Sequence, residues 1–119
     1  MVTTELFRRD QDALTFSAGT TIFSEGDAGD AMYVVVEGEV NLIVHATLVE
    51  TLAPGGMFGE MALLGKKEPR TASAVAATDC KLSAVDAKRF MFLIQQTPYF
   101  ALQMMQVMAD RLRQMDKRL

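Results

Sequence analysis

The chain has 119 residues, 50% of them hydrophobic, a net charge of −3, a pI near 5.1 and one cysteine. The length suits one domain with a proper core (residues 1–119), and the weak acidity excludes an electrostatic footprint for general nucleic-acid binding. A lone Cys80 excludes an internal disulfide and a four-thiolate iron–sulfur cluster, and no apolar run approaches the ~18 residues of a membrane span, so a cytoplasmic setting is expected.

Residues 1–12 are short and polar, with Glu5-Leu6-Phe7-Arg8-Arg9 reading as one helical turn. Ala13–Ser17 and Thr20–Phe23 read as strands around the turn Ala18-Gly19. Glu25 to Asp30 is a Gly/Asp loop, where Asx turns account for Asp27 and Asp30 without a metal. Ala31–Glu37 is rich in β-formers, and Glu37-Gly38-Glu39 is a turn. Val40–Val44 and Leu48–Leu52 form a compact hairpin around His45-Ala46-Thr47. His45 is the only histidine and reads as an exposed turn residue, so the His cluster of a cupin-type metalloenzyme is absent. Nor is a Ser-His-Asp, a Cys-His or a paired-carboxylate arrangement in evidence, so no catalytic or metal-ligating residues are assigned.

The stretch from Pro54 to Ala74 carries the most chemistry. Pro54-Gly55-Gly56 is a turn, and Gly59 opens a short apolar run of helix formers, Met61-Ala62-Leu63-Leu64. A short helix starting there would present free backbone N–H groups and favour an anion. Gly59 leaves room for a phosphate, and Arg70 can add a forked, charge-assisted contact. Glu60 would repel a phosphate, so it suits a hydroxyl pair such as that of a ribose. Lys66-Lys67-Glu68 reads as an exposed loop.

Thr71–Ala77 and Cys80–Val85 alternate as strands, with Cys80 a buried small hydrophobe. Short strands at regular spacing point to a mainly β protein, an antiparallel β-barrel or jelly roll. The period then changes. Asp86 is an N-cap for a helix over 87–96, and Thr97-Pro98 restarts a second helix over 98–119. Its apolar residues Ala101, Met105, Met108, Leu112, Met115 and Leu119 fall at alternating steps of four and three, a heptad-like seam. That seam either packs on the chain's own barrel or pairs with a second copy. Arg111, Arg113, Lys117 and Arg118 suit the helix C-terminus.

Phe58-Gly59-Glu60-Met61-Ala62-Leu63 and Pro69-Arg70-Thr71-Ala72 resemble the phosphate-binding cassette of cyclic nucleotide-binding domains. The resemblance extends to Glu25-Gly26-Asp27-Ala28-Gly29-Asp30, Met32-Tyr33-Val34-Val35 and Glu37-Gly38-Glu39-Val40, and covers Leu14 to the C-terminus. The chain is similar to the catabolite activator and cyclic-nucleotide-sensor family, without the helix-turn-helix that follows this helix in the activator type. The resemblance implies a barrel with a short phosphate-binding helix and two C-terminal helices. It implies a regulatory module that binds cAMP or cGMP without altering it and signals by moving its last helix. The alternative is a ligand-independent interaction or dimerisation domain with a degenerate pocket.

Residue by residue, the resemblance gives Glu60 the ribose 2′-hydroxyl and Arg70 the cyclic phosphate. Backbone amides of Gly59, Met61 and Ala62 add to the phosphate site, and the Thr71 hydroxyl reaches the phosphate or a guanine edge. Leu42 and Val49 are apolar wall positions or plain core. Arg111 pairs with the ribose-binding acid or is a solvated helix charge. The implied partners are the cyclic nucleotide and a second copy along 98–119, with no cofactor, no membrane and no direct nucleic-acid contact. Some family members reach the adenine amino group with hydroxyls where this chain has Met115-Asp116; Thr71 with Asp116 would favour guanine instead.

Overall fold

The computed structural model describes residues 6–64 and 68–118, with side chains to residue 115. The elements are β1 (Leu14–Phe16), β2 (Thr21–Phe23), β3 (Ala31–Glu37), β4 (Val40–Val44), β5 (Thr47–Leu52), β6 (Met57–Phe58), a 3-10 helix (Glu60–Ala62), β7 (Ser73–Ala76), β8 (Cys80–Asp86), α1 (Ala87–Gln96) and α2 (Pro98–Arg118). The strands pair antiparallel in two four-stranded sheets, β1-β8-β3-β6 and β2-β7-β4-β5. The expected barrel is therefore two sheets, with no ring of pairings closing them among the described residues. A two-residue alternation is the same along a barrel strand and a sandwich strand, so the sequence pattern does not distinguish them.

Strand β3 explains the layering. Its three consecutive valines look excessive for a half-exposed strand, but β3 is covered on both faces. Val35 and Tyr33 pack with Val40, Leu52, Phe58, Ala74 and Leu82 in the core shared with the second sheet. Met32 and Val34 face the other way and pack with Phe7, Val85, Phe90, Leu93, Phe100, Met104 and Val107. The N-terminal turn and both helices thus cover the outer face of the first sheet. Phe7, Phe90 and Phe100 interlock there, with ring centroids 5.9 and 6.3 Å apart around Phe100. Cys80 is buried, and burial first, then the Asp79 carboxylate, pushes its thiol pKa up.

The helix boundaries follow their caps. The Asp86 carboxylate accepts from Arg89 N–H at 2.8 Å at the start of α1, and the Phe100 N–H donates to Thr97 O at 2.9 Å where Pro98 opens α2. The seam on α2 differs from expectation. The stripe that packs inward is Phe100, Met104 and Val107. Met105, Leu112 and Met115 are 61%, 63% and 60% exposed, whereas Met108 packs against the core, so the chain's own sheets cover only part of that seam. The inward stripe starts one residue earlier and carries the larger Phe100, and burial follows the bulkier face. Leu119 at the seam's end, Lys66, Lys67 and the first residue of the expected 5–9 turn lie outside the described residues.

Candidate functional site

The site is built where the loop after β2, the 3-10 helix and the segment before β7 meet. Backbone pairing fixes Arg70: Gly26 N–H donates to Arg70 O at 2.9 Å, and Arg70 N–H donates to Asp27 O at 2.8 Å. Asp27 is in turn held by local loop chemistry, its carboxylate accepting from Ser24 N–H at 2.9 Å. The Arg70 guanidinium donates from Nη2 to Ala31 O at 2.8 Å and from Nη1 to Gly59 O at 3.2 Å. It lies over the Phe23 ring, 4.1 Å from the centroid. Its Nε is buried without a hydrogen-bond partner. Gly59 is at φ 79°, and a Cβ there would lie 2.8 Å from Arg70 Nη1, so both its conformation and its space require glycine.

Glu60, next in the chain after Gly59, is 9% exposed and its Oε1 accepts from Arg111 Nη1 at 2.9 Å. Arg111 reaches in from α2. It also donates from Nε to Glu50 Oε1 at 3.2 Å and from Nη2 to Met57 O. Its side chain is 22% exposed, so the reading of Arg111 as a solvated helix charge is overturned. A carboxylate this buried needs such a partner, since an unpaired buried charge costs several kcal/mol.

Both charged groups line a cavity of about 710 Å³. All nine residues singled out in the sequence line it: Leu42 and Val49 from the β4–β5 hairpin, Gly59, Glu60, Met61 and Ala62 from the cassette, Arg70 and Thr71 before β7, and Arg111 from α2. Leu42 and Val49 are only partly buried. The Ala62 N–H donates to Gly59 O at 3.1 Å inside the 3-10 turn, so it is not a free donor in this state. Met115 lines the cavity, while the side chain of Asp116 lies outside the described residues.

Among the cavity residues that escaped sequence reasoning, Glu50 carries a charge that Arg111 meets. Glu50 follows Val49, and strict alternation would send the two to opposite faces. The register of β4 against β5 shifts between Leu42↔Glu50 and Ile43↔Leu48, a bulge at Val49. Bulges redirect side chains, and here both residues reach the cavity. The available signal was a carboxylate on β5 together with an arginine, Arg111, on α2. His45 is an exposed turn residue as expected, at φ 48° in a two-residue hairpin loop with Ala46 at 65°. Among the described residues no cluster of His, Cys, Asp and Glu could hold a metal ion, and no helix is long and apolar enough to cross a membrane.

The model for the cyclic nucleotide-binding domain matches residues 13–97. The chain is 39% identical over 106 residues to the cyclic AMP receptor protein of Thermus thermophilus, covering 85% of this chain and 49% of that protein. It is 45% identical over 74 residues to the cAMP-dependent protein kinase regulatory subunit of Eremothecium gossypii, covering 62% of this chain and 16% of that one. A solved structure from a cyclic-GMP-dependent signalling pathway of bacterial phytopathogenesis superposes with a TM-score of 0.77 at 28% identity, over 94% of both chains. The chain spans about half the length of the first of these curated relatives and less of the second. With a matched region that takes in Arg70, Glu60 and both sheets, the chain belongs to the cyclic nucleotide-binding domain family.

Proposed function

We propose that this chain is a regulatory module that binds cAMP or cGMP without altering it and signals by moving α2. The observation that carries the reading is a cavity lined by both Arg70 and Glu60. Arg70 offers a guanidinium, and Glu60 offers a carboxylate paired with Arg111. A cyclic nucleotide has the matching groups, a phosphate diester fused to a ribose that bears one free hydroxyl. In this reading Arg70 and the backbone of Gly59, Met61 and Ala62 take the phosphate. Ala62 must then release Gly59 O as the turn tightens on the ligand. Glu60 accepts the 2′-hydroxyl, Thr71 lends its hydroxyl to the phosphate or to a guanine edge, and Leu42 and Val49 flank the base. The volume lies within the ~300–1,000 Å³ usual for small-molecule sites.

Signalling follows from Arg111. A ligand that engages Glu60 changes the environment of the group that anchors α2, so ligand affinity and helix position are linked. The strands are read as a jelly roll forming one domain over 1–119. The site chemistry is binding, without catalytic residues, metal or cofactor. Output passes through protein contacts, with the exposed seam of α2 pairing two copies, rather than through direct contact with nucleic acid or a membrane. The lone buried thiol suits a reducing, cytoplasmic compartment.

The test is calorimetric titration with cAMP and cGMP, side by side, on the wild type and Arg70→Ala. Removing a partly buried charge-assisted contact should weaken binding by about 2–5 kcal/mol. Absence of saturable binding to either nucleotide would refute the sensor reading in favour of a ligand-independent interaction domain.

A further inference from the structure

Glu50 has no role in the binding proposed above, yet its geometry is specific. The β5 bulge brings it to the cavity wall beside Val49, and its Oε1 accepts from Arg111 Nε at 3.2 Å. Arg111 therefore meets three elements through three nitrogens: β5 through Glu50, the 3-10 helix through Glu60, and β6 through Met57 O. A guanidinium is planar and rigid, so acceptors on Nε, Nη1 and Nη2 fix both its position and its plane. Remove the Nε acceptor, and the group can swing about the Glu60–Met57 edge. The side chains of Glu50 and Arg111 are 35% and 22% exposed, so the pair is neither fully screened nor fully desolvated.

Two carboxylates facing one guanidinium also divide the work. A ligand hydroxyl arriving at Glu60 competes for that carboxylate's lone pairs, whereas Glu50 continues to hold Arg111. We propose that Glu50 is a positioning residue: it fixes the Arg111 guanidinium, and helix α2 with it, over Glu60, and so sets how tightly α2 closes the cavity. For its effect on affinity this rests on the cyclic-nucleotide reading above. For its effect on the helix it does not.

The test uses Glu50→Gln, which removes the charge and keeps the shape, alone and combined with Arg111→Ala, or with Arg111→Gln should the alanine variant not fold. Two readouts are taken. Amide hydrogen exchange of residues 104–114 without nucleotide should be faster in Glu50→Gln than in the wild type. Calorimetry with cAMP and cGMP should show binding weakened about two- to fivefold, the upper range of an exposed charge pair. Both effects should vanish when Arg111 is already replaced, because contacting partners are not additive. Unchanged exchange in Glu50→Gln overturns the proposal, even if binding falls. An equal loss of affinity with Arg111 replaced also overturns it, since Glu50 would then touch the ligand directly. If the wild type binds neither nucleotide, the functional reading fails alone, and the exchange result still decides the role of Glu50.

Discussion

Gly29 offers a way to disable the proposed phosphate end without altering any residue that would touch a ligand. Its φ is outside the left-handed region, so alanine meets no backbone obstacle there. The obstacle is Arg70. A methyl on Gly29 would overlap Arg70 Nε and Cζ and lie 2.6 Å from Nη2. The guanidinium must therefore leave its place. In doing so it gives up Ala31 O, Gly59 O and the face of Phe23. Each hydrogen bond from a charged donor is worth about 1.5–3 kcal/mol. The displaced guanidinium and the two carbonyls regain water in this half-open site, so the net loss of stability should be about 1–3 kcal/mol. For a chain of this size that lowers the melting temperature by about 4 °C or more. Binding should suffer more, because the phosphate loses its cation: about 2–5 kcal/mol, or roughly 30-fold upward.

The assay is titration with cAMP and cGMP together with thermal melts of Gly29→Ala, Arg70→Ala and the double variant. If Gly29 acts only by leaving room for Arg70, the double variant binds no worse than Arg70→Ala alone. A Gly29→Ala chain that melts and binds as the wild type does would refute the argument, because it would mean that the guanidinium works equally well elsewhere.

Two other perturbations read other parts of the molecule. Glu60→Gln should cost about 1.5–3 kcal/mol of nucleotide binding, and the penalty should be small for a 2′-deoxy cyclic nucleotide, which calorimetry on both ligands measures. Asp10 tests the tie between the N-terminal turn and α1. Its carboxylate accepts from Ser83 Oγ at 2.5 Å and from Arg89 Nη1 at 3.0 Å. Burial alone would raise its pKa, but the bonds from Ser83, Arg89 and Asp12 N–H outweigh burial and hold it below the ordinary value of 3.8. A depressed folded pKa gives stability that is present above the unfolded value and lost as pH falls through the folded one. Urea melts should therefore show wild-type stability dropping below about pH 4, with that part of the slope missing in Asp10→Asn.

Much of the architecture was legible because it is local. Asp86 and Thr97-Pro98 announce helix starts through cap chemistry that involves neighbouring residues only, and α1 begins at Ala87 as expected. Ala31–Glu37 and Val40–Val44 match their strands residue for residue because their β-branched runs are bounded by turns, with Gly38 between them and His45-Ala46 after the second. Strand β6 was missed. Met57-Phe58 is too short to show alternation, and it is a strand only because Tyr33 and Val34 lie beside it. The expected strand 71–77 shortened to Ser73–Ala76, since Arg70 bonds the Asp27 loop and pulls the chain before it out of the sheet. Which face of α2 would be buried was equally nonlocal, because Phe100, Met104 and Val107 compete with an apolar stripe of the same period. Glu50 became visible only with the bulge, which depends on how β4 and β5 register.

These nonlocal features converge on α2. Its inner stripe packs on the first sheet, Arg111 ties it to both carboxylates of the cavity, and Met105 and Leu112 are left outward. A helix held in its C-terminal half by Arg111 can shift there while Phe100 and Met104 stay packed. Its two surfaces are then energetically joined. If a second copy docks along Met105 and Leu112, it favours one position of the helix, and that position presents Arg111 to Glu60 and Glu50. By linkage the ligand must favour the docked pair by the same free energy that the pair lends to the ligand, typically about 1–3 kcal/mol. A charge introduced on that face, as in Leu112→Glu, which touches neither the cavity carboxylates nor Arg70, would then weaken nucleotide binding through the helix alone. Without such coupling it would leave binding untouched.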